Sequence, residues 1–185
     1  MKTKLVLAGL AMALSFSSCK DNDKDDKKTE QQPAAADAKS QTFDIAIDVV
    51  IPSDEELILF YKDGTNDWFQ DDKTVWAGVK GSTNVQTAVF HLPEGVLPND
   101  IRLDVGRNEF KGLAPIEIKK ITMTYLDKKF EIPQDQIANY FKANQFIAYD
   151  EATKKYSFKK DEKGGYDPFF ETKPEFYPQL ANLAL

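Results

Sequence analysis

The side chains able to do chemistry are few and unevenly spread. The chain holds one cysteine, Cys19, and one histidine, His91. A single cysteine excludes a disulfide framework and a cysteine-based zinc site, and a single histidine excludes a multi-histidine metal centre. His91 stands beside Leu92-Pro93 with no nucleophile motif nearby, so it reads as a hydrogen-bonded structural histidine rather than a base. Neither common glycine-rich phosphate loop occurs. Carboxylates are plentiful, with 30 Asp and Glu against 24 Lys and Arg, but nothing in their spacing selects the pair that a glycosidase needs. The expectation is a protein that is not an enzyme and carries no metal or cofactor.

Three polar or aromatic groups remain as candidates. Asp63, Asp67, Asp71 and Asp72 cluster around Asn66, and hard oxygen donors in one loop suit Ca²⁺. The spacing fails the EF-hand template, because Trp68 takes the glycine position and Thr74 the final glutamate. A solvated acidic loop is the favoured reading. Trp68 and Phe69 lie in that same polar segment, Asp63 to Lys73. Exposed, they would stack on the apolar face of a sugar; folded back, they would cap the core. Trp68, Phe69 and Asp67 are therefore the candidate ligand-binding residues, with Trp68 as the platform and Phe69 as its support. Arg102 and Asp104, two residues apart on a strand, share one face. An inward pair would pin sheet register and an outward pair would contact a ligand; the structural role is favoured. Trp76, inside a strand with alternating neighbours, is expected in the core.

The elements that must position these residues are short strands. Phe43, Ile45, Ile47 and Val49 alternate with Asp44, Ala46 and Asp48, the period of a strand with one buried face. Further strands are expected at 56–62, 74–80, 86–92, 100–105 and 116–125, separated by Pro-, Gly- and Asp-rich turns. In the last of these the apolar parity switches at Lys119-Lys120, which predicts a β-bulge. Residues 129–132 would pair back after a turn at 126–128. No amphipathic segment of crossover length lies between 43 and 132, which disfavours a parallel βαβ sheet.

Residues 133–185 carry half of the chain's aromatic residues, unlike a disordered tail. Ile137, Tyr140 and Phe141 have helical spacing after Pro133. Residues 145–150 and 155–159 read as a hairpin, Tyr166 to Phe170 as an extended anchor, and Leu180, Leu183 and Ala184 as a short closing helix. The expected fold class is all-β, an antiparallel jelly-roll-like β-sandwich over residues 41–185, with a small C-terminal extension of short helices and a hairpin.

The chain begins as an address. Lys2 and Lys4 precede an apolar run from Leu5 to Leu14, followed by Ser17, Ser18 and Cys19. Ten apolar residues fall short of the ~20 that a spanning helix takes, but they fit a signal-peptide core. The order resembles a bacterial lipobox, with Phe16 departing from the usual leucine. That resemblance implies a signal peptide over 1–18 and a lipidated Cys19. Residues 20–40 hold 11 charged side chains and no Val, Ile, Leu or aromatic residue, the composition of a disordered tether. The run Lys20-Asp21-Asn22-Asp23-Lys24-Asp25-Asp26-Lys27-Lys28 resembles the export signal of surface-exposed lipoproteins of the Bacteroidota, which implies an outer-membrane, lipid-anchored, cell-surface location.

A second resemblance rests on the succession Leu57-Ile58-Leu59-Phe60-Tyr61, Val79-Lys80-Gly81-Ser82, Phe90-His91-Leu92-Pro93, Ile101-Arg102-Leu103-Asp104-Val105-Gly106 and Ile116-Glu117-Ile118-Lys119-Lys120-Ile121. It is similar to jelly-roll modules appended to bacterial glycosyltransferases and polysaccharide-assembly proteins. The resemblance spans roughly residues 43–170 and transfers no catalytic residue. It implies a non-catalytic binding or accessory module, for glycans or an envelope protein partner. The alternatives are a purely structural envelope component and a small glycan-active hydrolase. A formal charge of −6 argues against nucleic acid as a partner.

Overall fold

The computed structural model describes residues 41–105 and 114–185. The expected signal peptide, Cys19 and the charged segment 20–40 lie outside the described residues. The described residues form an all-β, antiparallel sandwich. In chain order the strands are β1 (Asp44–Val50), β2 (Glu55–Lys62), β3 (Thr74–Val79), β4 (Gln86–His91), β5 (Asp100–Asp104), β6 (Glu117–Tyr125), β7 (Lys128–Pro133), β8 (Phe141–Ala143), β9 (Ile147–Asp150), β10 (Lys155–Phe158) and β11 (Phe169–Thr172). Two short helices, α1 (Ile137–Tyr140) and α2 (Tyr177–Ala184), complete the set.

One sheet runs β4-β1-β6-β7 and the other β3-β2-β5-β11-β8, with β9 and β10 as a separate hairpin. Leaving aside β8, these are the sheet orders of an eight-stranded jelly roll whose chain starts at the third strand. The tight β6–β7 hairpin joins what would be the two ends of the ordinary arrangement. At its turn Leu126 sits at φ 55°, a left-handed conformation uncommon outside glycine and asparagine.

Alternation decides which side chains form the core. Ile45, Ile47 and Val49 of β1, Leu57, Leu59 and Tyr61 of β2, Ile101 and Leu103 of β5, and Ile121 and Met123 of β6 all bury against one another between the sheets. The predicted bulge is present. Asp48 pairs with Lys120 and Val49 with Ile118, so Lys119 is the extra residue. That insertion lets Ile118 and Ile121 both face inward despite opposite parity.

One expectation needs correction. Ile137, Tyr140 and Phe141 do not form one helix. The helix stops at Tyr140, and Phe141 begins β8, where it is buried 5.0 Å from the ring of Phe176. The C-terminal extension docks by adding strands of its own. β11 pairs with β5 on one side and β8 on the other, so it completes the five-stranded sheet from within. Phe176 follows in a 3-10 turn and is fully buried, and Leu180 and Leu183 of α2 pack beside β6 and β7.

Gly81 sits where the β3–β4 loop crosses the β1–β2 loop. A Cβ there would come within 2.8 Å of the Pro52 carbonyl oxygen, so only glycine fits without a shift. Its N–H donates to Asp54 Oδ1 at 2.8 Å. That bond first, and then Lys80, holds the Asp54 carboxyl below its usual range.

Candidate functional site

The outer face of the five-stranded sheet is not a bare polar surface. Strand register places two rows of side chains across it. The first row is Trp76, Ile58, Asp104 and Phe169, and the second is Thr74, Phe60, Arg102 and Glu171. Directly paired residues share a face, so strand pairing alone assembles these groups from four separated parts of the chain. A cleft of about 480 Å³ opens over the rows, within the size range of small-molecule sites. Tyr166, Asp167 and Pro168 wall it on one side, and Asp71 of the β2–β3 loop on another.

Arg102 is the organising residue. Its Nε and Nη2 donate to the two carboxylate oxygens of Asp104, each at 2.7 Å, a bidentate fork. The guanidinium carbon lies 3.9 Å from the Phe169 ring centre and 5.0 Å from that of Phe60, so aromatic rings hold it in place. Asp167 Oδ1 stands 3.6 Å from Nη2. The Arg102 and Asp104 side chains are only 21% and 12% exposed. The pair faces away from the sandwich core, yet it ties β5 to aromatic residues of β2 and β11. The fork thus faces outward, as an exposed pair would, and still ties neighbouring strands together.

Trp76 departs from expectation as well. Alternation predicts it in the core, but its side chain is on the outer face and the residue is 48% exposed. Ala77 and Val79 take the inward parity of β3 instead. The indole Nε1 donates to Thr74 Oγ1 at 3.2 Å, and the Thr74 hydroxyl in turn donates to the Asp71 carbonyl. The ring thus keeps a fixed orientation while much of it stays in solvent. Burial, followed by the charge of Glu55, pushes the Tyr166 phenol up to about 12, so it stays neutral across the physiological range.

The β2–β3 loop, residues 63–73, borders this cleft through Asp71. Trp68 is 65% exposed, and Asp67 is exposed beside it. Phe69 is half-buried. Its ring meets Phe60 edge-on at 6.4 Å, and the Lys62 ammonium lies 4.4 Å from its centre. The structure therefore separates the expected platform from its support, since Phe69 leans on the cleft floor while Trp68 projects from the loop. Lys73 carries the loop's internal charge balance. Its ammonium is 2.6 Å from Asp63 Oδ1 and 3.3 Å from Asn66 Oδ1, and it also reaches the Thr65 hydroxyl. Lys73 first, then the hydroxyl and N–H of Thr65, hold the Asp63 carboxyl at about 2. Lys73 thus engages two of the loop's oxygen donors, Asp63 and Asn66. Among the described residues no three His, Cys, Asp or Glu side chains converge as a metal site requires.

His91 pairs with Asp44 across β1 and β4, with Nδ1 2.9 Å from the carboxylate, on the opposite sheet from the cleft. Among the described residues no helix is long and apolar enough to cross a membrane. Comparison with protein-family models, with curated proteins and with solved structures finds no match to this chain.

Proposed function

We propose that this chain is a lipid-anchored, non-catalytic module that binds saccharide on the outer face of its five-stranded sheet and is displayed at the cell surface. The observation that carries the binding reading is the half-exposed, orientation-fixed indole of Trp76 in one cleft with the Arg102–Asp104 fork. A sugar ring has an apolar face of C–H groups and an equator of hydroxyls. An indole covers the first, and a rigid carboxylate–guanidinium edge accepts from and donates to the second. The 63–73 loop, with Trp68 and Asp67, forms the adjoining edge of the same surface. The lipobox-like leader and the charged segment after Cys19 support the location.

A non-catalytic role is favoured because Asp104, at the centre of the cleft, already has both oxygens engaged by Arg102. A general acid needs a carboxyl kept protonated and aimed at the leaving oxygen. The test is calorimetric binding of the full chain in detergent to a panel of oligosaccharides, repeated with Trp76→Ala. The expected loss is about tenfold in affinity, the value of one stacked aromatic. Unchanged affinity of Trp76→Ala for every bound saccharide would remove the cleft from the site. New reducing ends in the incubated samples would convert the reading to a hydrolase.

A further inference from the structure

The charges that line the cleft do not cancel. Arg102 is the one cation among the described lining residues, against the carboxylates of Asp71, Asp104 and Asp167. Arg102 is already matched by Asp104 at 2.7 Å, with Asp167 approaching from the side. Asp71 and Asp167 are exposed and stand on the cleft walls, contributed by different parts of the chain. Any ligand that settles on Trp76 in this cleft shares it with both carboxylates.

We infer that this cleft is selective for electrically neutral saccharides and excludes anionic ones, such as uronate-bearing or sulfated glycans. The inference deepens the saccharide reading above and rests on it. An anionic sugar would bring its charge into a cleft whose described lining carries a net charge of the same sign, and Arg102, the cation among those residues, is already paired. A cationic ligand would compete with Arg102 for Asp104 and would disturb the fork that shapes the floor. A wholly apolar ligand would strip water from three carboxylates and a guanidinium without replacing their hydrogen bonds. Sugar hydroxyls carry no charge, and each can donate to Asp71, Asp104 or Asp167 and accept from Arg102. Neutral polyhydroxyl ligands satisfy these groups without adding charge to the cleft.

The experiment uses the full chain in detergent and two matched probe sets of equal length. One is a set of neutral β-linked glucose, xylose and mannose hexamers, and the other is a set of galacturonate and sulfated hexamers. Each is titrated by calorimetry at low and at physiological salt. The expected result is binding to at least one neutral hexamer, weakened by Trp76→Ala, with none to the anionic set. The double variant Asp71→Asn/Asp167→Asn should then admit galacturonate, with an affinity gain of about tenfold or more that shrinks as salt rises. The readout is the ratio of galacturonate to neutral-hexamer affinity within each protein, which should rise by about tenfold or more in the double variant whatever the neutral affinity itself does. Both substituted residues are exposed, so folding is not at stake. If the wild-type protein binds the anionic set as tightly as the neutral set, charge selection is overturned while saccharide binding stands. Charge selection is equally overturned if the double variant still rejects galacturonate. If neither set binds, the saccharide reading falls, and the selectivity with it.

Discussion

Removing the Arg102–Asp104 fork tests both the fold of the five-stranded sheet and the shape of the cleft. The perturbation is a double-mutant cycle: Arg102→Ala, Asp104→Ala and the two combined. Two charge-assisted hydrogen bonds at 2.7 Å join the side chains, and hydrogen bonds to charged groups are worth about 1.5–3 kcal/mol each when shielded. The Arg102 side chain is a fifth exposed, so part of that is lost to solvent screening. A coupling energy of about 2 kcal/mol is therefore expected. Arg102→Ala alone should cost more, about 3–4 kcal/mol. It takes the countercharge from a mostly buried carboxylate, and it also ends the packing on Phe60 and Phe169, worth about 0.5–1 kcal/mol. Arg102→Lys should recover only a small part, because an ammonium neither forks nor stacks as a guanidinium does. The assay is urea unfolding followed by far-UV circular dichroism, with the slope compared among variants to confirm a common unfolding transition. A coupling below about 0.5 kcal/mol would place the pair among ordinary solvated surface ion pairs. The cleft floor would then not be the rigid element that saccharide recognition needs.

Three further outcomes are expected. Phe176→Ala removes a fully buried ring packed against Tyr140 and Phe141 and should cost about 3–5 kcal/mol, read as a lower urea midpoint. Asp63→Asn tests the acid side of the β2–β3 loop. The wild-type carboxyl falls from 3.8 to about 2 on folding, so its contribution is full above pH 3.8 and is lost as pH falls through about 2. The stability gap between wild type and variant should therefore close over that window, and a gap independent of pH would contradict the Lys73 contact. Cys19→Ala should leave an unacylated protein that no longer fractionates with membranes, as measured by metabolic labelling with a fatty acid and by sedimentation.

Much of the fold is legible in the sequence because its strands are short and each ends in a turn signal. The switch from Ile118 to Ile121 across Lys119-Lys120 locates the bulge from parity alone. The errors have equally local causes. Phe141 lies four residues after Ile137, so it satisfies a helical stripe, yet its backbone is claimed by pairing with β11. Trp76 is misplaced because alternation says which residues share a face without saying which face is buried. Size favours the tryptophan, whereas Ala77 and Val79 are what the interior admits. The loop aromatics Trp68 and Phe69 stand out in the sequence as an unusual pair in a polar segment. The cleft does not, because Phe60, Arg102 and Phe169 meet only through sheet order, and sheet order depends on long-range pairing that no local pattern encodes.

The place of β11 has a consequence for the order in which the molecule can be made. β5 finds one neighbour, β2, early in synthesis, but its other edge stays open until Phe169–Thr172 has emerged. A nascent chain therefore carries an exposed strand edge from the emergence of β5 until that of β11, which is a hazard for pairing with other chains. The same delay postpones closure of the sandwich until Phe169–Thr172 has emerged. Were the chain threaded through a membrane pore, as the leader proposed above would require, β11 would act as a latch, keeping the preceding strands extended until it followed them.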